Sequence, residues 1–384
     1  MPTYTRRIKR QSLDYKLTHL MKLLVDCHVF DGKFQGTRTY LEGLYTHMTQ
    51  HQDIEFYFAA HEEKKLENVF GSTNNIHYIH LNYKSSIKRL TIEFPQIIKK
   101  YNIEYAHFQY ISPLLKKCKE IVTIHDLLFL DYPKYFPLSY KIKNRYCFMR
   151  SAKRADVLLS VSEFSKDEIA RHFGIPHTRI HITNNGILPI KENIDNINLK
   201  EIYGLDKYLL YVSRIEPRKN HLSLLRAFVD LQLKNAGYKL VMVGGKDLLY
   251  RDFFDYYDSL DDETKECILF LQVPFDHLVA LYRKASLFVF PSYAEGFGIP
   301  PIEAIAYGCP ILCSNATAMA EFNLPEEISF DPTDINDLKH KIVKQLDMPL
   351  NRKEYKDRIL SMYDWRIIAS RFYEVLIENY KGHI

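Results

Sequence analysis

Hydrophobic and polar positions alternate along this chain in two ways. Short apolar runs predict buried strands, and longer segments with apolar residues three and four positions apart predict helices. The predicted strands are 22–27, 54–59, 76–81, 105–108, 120–124, 156–161, 180–183, 208–213, 238–243, 268–272, 286–290 and 311–314. The predicted helices are 37–50, 86–101, 138–153, 163–173, 220–234, 276–284, 300–307, 335–346 and 365–381.

Strands that alternate with helices favour parallel sheets covered by helices, which is the doubly wound α/β class. The chain has 384 residues, enough for two such domains. We place an N-terminal domain at 21–190 and a C-terminal domain at 205–364, with the polar stretch 191–205 as the linker. Residues 1–20 are predicted to be a disordered extension, and the last helix, within 365–384, is predicted to pack back on the first domain.

Charge is distributed unevenly between the two halves of the chain. Residues 1–154 carry 25 Lys and Arg against 14 Asp and Glu, whereas residues 155–384 carry 27 against 33. We therefore do not expect a nucleic-acid-binding protein, because the basic residues are confined to one half. The basic stretches have two interpretations. They form solvated helix faces, or they form a patch that meets anionic lipid headgroups or a pyrophosphate-linked acceptor.

Cysteine and histidine spacing gives no metal-binding pattern. The six cysteines form no paired CxxC motifs and the sixteen histidines no HExxH motif, which favours reduced thiols over zinc sites or disulfides. No apolar run reaches the roughly 20 residues of a membrane span, and the basic residues at 6–10 are followed by polar residues rather than by the apolar core of a secretory signal. We expect a cytoplasmic protein whose contact with the inner face of the cell membrane, if it occurs, is peripheral.

The segment 291–308 carries the most specific chemical pattern. After an apolar strand, Gly296 and Gly298 permit a sharp turn with close approach to a ligand, and two prolines then suit a first helical turn. Strand, glycine turn and helix start in this order build an anion site that fits a diphosphate. Glu295 and Glu303 can accept hydrogen bonds from polyols on either side of it. The alternative is a plain strand–helix junction with solvated acids.

This segment resembles the signature of the family 4 glycosyltransferases, which are retaining enzymes with the GT-B fold, two Rossmann-like domains facing a central cleft. Their motif has two glutamates separated by seven residues, as Glu295 and Glu303 are. The resemblance implies that Glu295 contacts the donor sugar and Glu303 the ribose of a nucleotide sugar. It also implies that the sugar and phosphates are bound around the intervening residues Gly296, Phe297, Gly298 and Ile299.

A second strand–loop–helix segment, 210–233, carries Arg214 and Lys219 across a proline-containing turn. Two cations placed in this way can clamp a pyrophosphate, whereas the alternative is a charged solvated loop. The resemblance implies that this Arg and this Lys bind the donor diphosphate. Arg218 and Asn220 are expected to support them.

Two further positions lie in the first half of the chain. Gly36 belongs to a glycine-containing loop after the first strand, which by itself fits a plain turn equally well. The resemblance implies that this loop reaches toward the donor phosphates, with Arg38 adding charge. His125 ends a predicted strand, where a histidine is more often structural, but the resemblance places it on the acceptor side in contact with the donor sugar. Asp126 is expected to orient its imidazole or to bind the acceptor.

These residues together imply metal-independent, retaining transfer from a nucleotide sugar to a glycan or lipid-linked acceptor. The chain contains no Asp-x-Asp motif, with which other glycosyltransferases hold a divalent metal on the diphosphate. The expected catalytic residues are His125, Arg214, Lys219 and Glu295, and no cofactor besides the donor is expected. Resemblance to mannosyl- and rhamnosyl-type members favours GDP-mannose over UDP- and dTDP-sugars, and favours a role in surface polysaccharide synthesis.

Three other classes remain open. A sugar-nucleotide epimerase or hydrolase can use the same scaffold, and a non-catalytic partner of a polysaccharide assembly complex can retain it. A dinucleotide-dependent oxidoreductase is the least favoured, because no G-x-G-x-x-G follows the first predicted strand.

Overall fold

The computed structural model describes residues 20–32, 35–188, 196–245, 250–351 and 353–382. Within these ranges the chain forms two parallel sheets whose strands alternate with helices. This confirms the doubly wound α/β class with two Rossmann-like domains. The predicted extension lies outside the described residues except for Leu20, as does the 191–195 part of the predicted linker.

The N-terminal sheet is wound in both directions from its first strand. Its strands are β1 (Met21–Asp26), β2 (Ile54–Ala60), β3 (Ile76–His80), β4 (Tyr105–Gln109), β5 (Lys119–Ile124), β6 (Val157–Ser160) and β7 (Ile180–Ile182). Their order is β3-β2-β1-β4-β5-β6-β7, and neighbouring strands are parallel. The winding reverses between β1 and β4, which is where open α/β sheets form a ligand crevice beyond the carboxyl ends of the strands.

The C-terminal sheet repeats this plan with six strands. They are β8 (Lys207–Val212), β9 (Tyr238–Val243), β10 (Ile268–Leu271), β11 (Leu287–Phe290), β12 (Ile311–Ser314) and β13 (Ser329–Phe330). The order is β10-β9-β8-β11-β12-β13, again with parallel neighbours. All four residues of β11 and of β12 are buried, as expected for parallel strands covered on both faces. The reversal lies between β8 and β11.

The helices match the predicted ones wherever an apolar face recurs over several turns. They are α1 (Gly36–Met48), α2 (Glu63–Phe70), α3 (Ser86–Lys88), α4 (Phe94–Tyr101), α5 (Leu128–Asp131), α6 (Leu138–Arg154), α7 (Glu163–Phe173), α8 (Leu199–Tyr203), α9 (His221–Asp230), α10 (Arg251–Asp258), α11 (Asp262–Glu266), α12 (Phe275–Lys284), α13 (Ile299–Ala306), α14 (Ile335–Asp347), α15 (Lys353–Met362) and α16 (Trp365–Lys381). Several short helices are not predicted by the pattern. In α11 there is no apolar residue, and its start is fixed by the Asp261 side chain, which accepts a hydrogen bond from the Thr264 N–H.

The predicted helix 86–101 is interrupted in its middle. Residues Arg89–Glu93 form a π turn between α3 and α4, in which the Phe94 N–H bonds the Arg89 carbonyl. Pro95 explains the interruption, because it has no N–H to donate to Thr91 and its ring would clash with that carbonyl in a regular α-helix. The turn buries Arg89 and Glu93, which a regular amphipathic pattern would leave exposed.

The last helix connects the end of the chain to the N-terminal domain. In α16, Trp365 lies against Gly43 of α1, where an added Cβ would be 2.0 Å from the indole ring. Farther along, Asn379 accepts a hydrogen bond from the Tyr105 hydroxyl at 2.8 Å. Across the described ranges, no helix has both the length and the apolar character needed to cross a bilayer.

Candidate active site between the two domains

The site is built from two loops that follow neighbouring strands of the C-terminal sheet. Strands β8 and β11 pair in parallel, with Leu209 opposite Leu287 and Leu210 opposite Phe288. Parallel pairing places both carboxyl ends at the same sheet edge, so the loops after the two strands are adjacent. The Tyr293 N–H accordingly bonds the Arg218 carbonyl at 3.0 Å.

Glu295 is bound by side chains from both of these loops. Lys219 Nζ lies 2.6 Å from Oε1 and 2.8 Å from Oε2 of Glu295, and Arg218 Nη1 lies 3.1 Å from Oε2. Ser292 Oγ donates to Oε1 at 2.6 Å, and Arg218 Nη2 donates to Glu216 Oε1 at 2.6 Å. Two cations and two carboxylates therefore form one closed network.

This network fixes the charge of Glu295 in spite of its burial. Burial alone would raise the pKa of Glu295, but Lys219 and then Arg218 outweigh it and hold that pKa at about 2. Burial lowers the pKa of Lys219, and the neighbouring Arg218 guanidinium lowers it further. We infer an ionised carboxylate at neutral pH, held in place as a hydrogen-bond acceptor.

The glycine turn leads directly into α13. Gly298 has φ of 99°, in the left-handed region, and immediately precedes the helix. The four N–H positions without an intrahelical acceptor at this helix start are 298–301, and Pro300 and Pro301 have no N–H, so the free donors are those of Gly298 and Ile299. The dipole of the helix is unaffected, and it still favours an anion here.

Phe297 is buried and points away from the turn. Its ring packs edge-on against Phe322 and Tyr363, with centroid separations of 5.8 Å and 5.2 Å. Only the backbone of Phe297 can therefore meet a ligand, and the side chain anchors the loop.

Glu303, the second acid of the motif, lies apart from the charged network. Its Oε2 accepts a hydrogen bond from the Tyr282 hydroxyl of α12 at 3.1 Å. Burial raises the pKa of Glu303 to about 7, an increase that the Tyr282 hydrogen bond reduces only partly. Its charge thus changes close to neutral pH.

His125 follows β5 and is oriented by Gln109, the last residue of β4. His125 Nε2 lies 2.7 Å from Gln109 Oε1, and burial lowers the pKa of His125 to about 3, so the ring is neutral at pH 7. The alternative that Asp126 orients this ring is wrong. Its two oxygens accept hydrogen bonds from the Leu128 N–H at 3.2 Å and the Tyr110 hydroxyl at 3.3 Å. Asp126 instead anchors the turn that follows His125.

The two domains meet at the predicted site residues. A Cβ added to Gly296 would lie 2.5 Å from the carbonyl oxygen of His125, and the Ser162 hydroxyl donates to the Gly296 carbonyl at 2.7 Å. At the start of α1, a Cβ added to Gly36 would lie 3.5 Å from Cδ1 of Ile299. The structure therefore brings Gly36 to Ile299, and His125 to Gly296.

Arg214 occupies a different position from Lys219. It is exposed in the loop after β8, whereas Lys219 is bound to Glu295. Arg218, which the sequence suggested only as a support, makes direct contact with Glu295. The motifs gave no indication of Gln109 or Tyr282, although a polar residue at the end of a buried strand, such as Gln109, is a signal that could have identified one of them.

Among the described residues, one group of three side chains has a metal-like arrangement: Asp131, Glu168 and His172. His172 Nε2 lies 3.0 Å from Asp131 Oδ1. Arg171 donates to both carboxylates, however, and thereby supplies the positive charge that a metal would bring. None of these residues belongs to the predicted site.

The chain matches two family models over consecutive regions. Residues 34–189 match the model described as Glycosyltransferase Family 4, and residues 193–360 match the model described as Glycosyl transferases group 1. Together they cover more than four fifths of the chain. The first match ends at residue 189 and the second begins at residue 193, between the two domains.

Curated relatives are similar to part of this chain. O-antigen chain mannosyltransferase B of Escherichia coli is 32% identical over 242 residues, which is 59% of this chain and 61% of that protein. O-antigen chain mannosyltransferase RfbU of Salmonella typhimurium is 32% identical over 58% of this chain and 59% of its own. A Campylobacter jejuni N-acetylgalactosamine-N,N'-diacetylbacillosaminyl-diphospho-undecaprenol 4-alpha-N-acetylgalactosaminyltransferase is 28% identical over 56% and 57%. Each match spans about three fifths of the relative's length.

The fold recurs in solved structures. Sucrose-phosphate synthase from Thermosynechococcus elongatus superposes with a TM-score of 0.72 at 17% identity, covering 94% of this chain and all of that one. The similarity at this identity concerns the two-domain architecture alone.

Proposed function

Because this chain belongs to the group 1 glycosyltransferases of family 4, we propose that it transfers mannose from GDP-mannose to a glycan or lipid-linked acceptor. The product would be part of a surface polysaccharide. The names of the O-antigen mannosyltransferases among its relatives support the sugar, and the site described above supports the reaction.

The observation that carries this proposal is the binding of Glu295 by Lys219 and Arg218, directly beside the contact between Gly296 and His125. In the free protein Lys219, Arg218 and Ser292 fill the four acceptor positions of this ionised carboxylate, so a sugar hydroxyl would bind it by replacing a donor such as Ser292. Lys219 has three N–H donors and directs two of them to Glu295, so its third can reach a phosphate oxygen. One ammonium would then contact both the carboxylate that holds the sugar and the leaving group.

Departure of the nucleoside diphosphate requires stabilisation of negative charge. Lys219, Arg214 and the N–H groups of Gly298 and Ile299 would supply it, and preorganised electrostatic stabilisation of this kind is usually the largest contribution to catalysis. These groups suffice without a divalent ion, so we propose that turnover does not need a metal. Transfer that disappears in EDTA and returns with Mg²⁺ would contradict this part of the proposal.

The proposed stereochemistry is supported by which groups can move a proton. Glu295 has a pKa of about 2 and His125 a pKa of about 3, so both are weak bases. We propose that the departing phosphate oxygen accepts the proton of the acceptor hydroxyl. The anomeric bond to phosphate breaks, a bond to the acceptor oxygen forms on the same face, and configuration is retained.

The acceptor side is proposed to face a membrane through α6. Leu138, Ile142 and Tyr146 are each more than 60% exposed and lie on successive turns of this helix. The 17 residues of α6 include six basic and no acidic side chains. Apolar residues among basic ones on an exposed helix face match the surface of an anionic bilayer.

The neighbouring loop 112–117 extends this surface. Arg150 Nη1 donates to the Ser112 carbonyl at 3.2 Å, and Arg154 Nη1 donates to the Leu114 carbonyl at 2.7 Å. These bonds hold Leu114 and Leu115, both 60% exposed, beside α6. We define this combination of α6 and loop 112–117 as the basic–apolar face.

The deciding experiment follows GDP-mannose with and without an acceptor. We expect GDP and an α-mannoside product only when a hydroxyl acceptor is present. Free mannose or an epimerised nucleotide sugar formed without an acceptor would instead indicate a hydrolase or an epimerase. Thermal stabilisation by GDP in preference to UDP and dTDP would support the donor, since a ligand at 100 times its Kd stabilises by about 2.7 kcal/mol.

A further inference from the structure

Arg89 is a buried arginine with one N–H, at Nε, that the protein leaves without an acceptor. Its side chain is only 7% exposed, and its Nε has no hydrogen-bond partner. The nearest carboxylate oxygen, Asp26 Oδ2, lies 3.8 Å from Nε, which is an ion pair but too long for a hydrogen bond. Buried polar groups in folded proteins are normally hydrogen-bonded, so an exception of this kind calls for an explanation.

The position of this pair relates it to the cleft. Asp26 is the last residue of β1, at the point where the winding of the N-terminal sheet reverses. Neighbouring strands lie about 4.8 Å apart, so β1 and β5, the strand that precedes His125, are separated by roughly 10 Å. The Arg89–Asp26 pair therefore lies along the same sheet edge as His125 and Gln109, on the acceptor side of the proposed transfer site.

The protein holds both partners firmly. His28 donates from its backbone N–H at 3.1 Å and lies with Nδ1 at 2.8 Å from the same oxygen, Asp26 Oδ1, which leaves Oδ2 directed to Arg89. The π turn that carries Arg89 is anchored at Glu93, which accepts hydrogen bonds from the N–H groups of Asn82 and Tyr83. These bonds fix the carboxylate that faces Arg89 and the backbone turn that carries it.

The surroundings of Arg89 indicate the chemistry of that ligand. A planar guanidinium matches a phosphate through paired N–H donors. On the same segment Ile87 and Ile92 are 67% and 41% exposed, and Lys84 and Lys88 are exposed cations. A buried cation with basic and apolar side chains beside it suits a phosphate attached to a hydrocarbon chain better than it suits a free sugar.

We propose that Arg89 binds the phosphate or diphosphate group of a lipid-linked acceptor, whose hydrocarbon chain leaves past Ile87 and Ile92. This inference rests on the proposed function, because it names the acceptor class of the same cleft. The helix α4, which follows the turn that carries Arg89, lies on the same face of the N-terminal sheet as α6 of the basic–apolar face. Leu24 pairs with Ala106 and Phe108 with Val122 in the sheet register, so the side chains that α4 covers and those that α6 covers lie on one face of the sheet.

The test measures binding of farnesyl diphosphate by thermal stabilisation, in the presence of saturating GDP so that the donor site is filled. Arg89→Met is compared with Arg179→Met, a control at the opposite edge of the sheet, where the exposed Arg179 bonds the Ala155 carbonyl before β6. We expect Arg89→Met to weaken binding about 10- to 100-fold, the loss typical of charged hydrogen bonds. Arg179→Met should bind as the wild type does, and Arg89→Lys should be intermediate because it keeps the charge but not the paired donors.

Two further probes distinguish the sources of the phosphate. Inorganic pyrophosphate should bind more weakly than farnesyl diphosphate but with the same dependence on Arg89, and binding to phosphatidylglycerol vesicles should be unchanged by Arg89→Met.

Equal farnesyl diphosphate binding by wild type and Arg89→Met would overturn the inference, as would a loss confined to vesicle binding. If Arg89→Met does not fold, the comparison of Arg89→Lys with wild type decides by the same criterion. If GDP fails to stabilise the protein while farnesyl diphosphate binding still depends on Arg89, the proposed donor is wrong and the Arg89 site stands.

Discussion

Lys219 Nζ lies within 2.8 Å of both carboxylate oxygens of Glu295, although the two residues are 76 positions apart in the sequence. The contact joins the loop after β8 to the loop after β11. Both side chains are nearly buried, at 13% and 10% exposure, so solvent screens the pair only weakly. The ammonium therefore has a structural partner in the free protein and can acquire a second one, a phosphate, when the donor binds.

Replacing Lys219 by Met should decrease kcat/KM for transfer by about 100-fold or more, because a few kcal/mol of leaving-group stabilisation is lost. Initial rates at varied GDP-mannose measure this. Lys341→Met is the matched control, since Lys341 is 14% exposed, is paired with Asp337 in α14 and donates to the Ser329 carbonyl of β13. Near-wild-type transfer by Lys219→Met would remove this residue from the catalytic set.

Arg214→Ala should also slow transfer by about 100-fold, although Arg214 is exposed.

Glu303 should make nucleotide affinity depend on pH near neutrality. Its pKa of about 7 lies above the ordinary 4.5, so the folded protein holds this proton more tightly than the unfolded chain does. Stability from this group is therefore present below about pH 4.5 and decreases as pH rises toward 7. Ribose hydroxyls would donate to the ionised form, so GDP affinity should increase from pH 6 to pH 8.

The Glu303→Gln variant provides the control for this effect. Calorimetric titration of GDP at several pH values should show weaker binding with little pH dependence, because the amide does not titrate. Below pH 7 the wild-type Kd should rise by up to about tenfold per pH unit, the limit for one ionising group. A wild-type Kd that is constant from pH 6 to pH 8 would contradict the assignment of Glu303 to the ribose.

The sequence predicted the two sheets and the acid pair because both depend on local patterns. Strand–helix alternation identified every strand except the two-residue β13, and the glycine turn before α13 marked Glu295 and Glu303. The predicted roles of these residues remain predictions. The fold class and the family are confirmed.

What the sequence did not predict depends on contacts between distant segments. Arg218 contacts Glu295 because β8 and β11 are neighbours, and Gln109 contacts His125 because β4 and β5 are neighbours. Strand order is a tertiary property that hydrophobic periodicity in one sequence does not specify. The π turn at Arg89 was missed for a different reason, since a helical pattern continues through Pro95 and the backbone distortion is concealed.

Gly296 should tolerate no side chain, because the domains approach each other there. A Cβ would lie 2.5 Å from the His125 carbonyl oxygen and 2.7 Å from Cβ of Asp126. We expect Gly296→Ala to shift the two domains apart and to decrease transfer by about tenfold or more, as a displacement of about 1 Å can cost 100-fold. Gly382→Ala is the control, because an added Cβ there comes no closer than 3.4 Å to a neighbouring atom and the residue follows α16, away from the glycine turn. Equal rates for both variants would show that this approach is not maintained during catalysis.

The basic–apolar face should bind anionic vesicles, and its apolar residues should be needed for that binding. Leu138, Ile142 and Tyr146 are exposed on successive turns of α6, and a charge placed among them would have to be buried in the interface with the lipid. We expect Ile142→Asp to abolish co-sedimentation with phosphatidylglycerol vesicles. Ile202→Asp, a change at a residue that is 50% exposed in α8, should leave it intact. Wild-type binding should weaken with added salt, because it depends partly on screened charges, and should be weak to phosphatidylcholine vesicles.

Transfer to a short water-soluble acceptor should be equal in the two variants, since the substitution alters where the enzyme works and not the site between the domains. Loss of that activity in Ile142→Asp would show that α6 contributes to the site itself, and unchanged vesicle binding would show that the membrane is met by another surface.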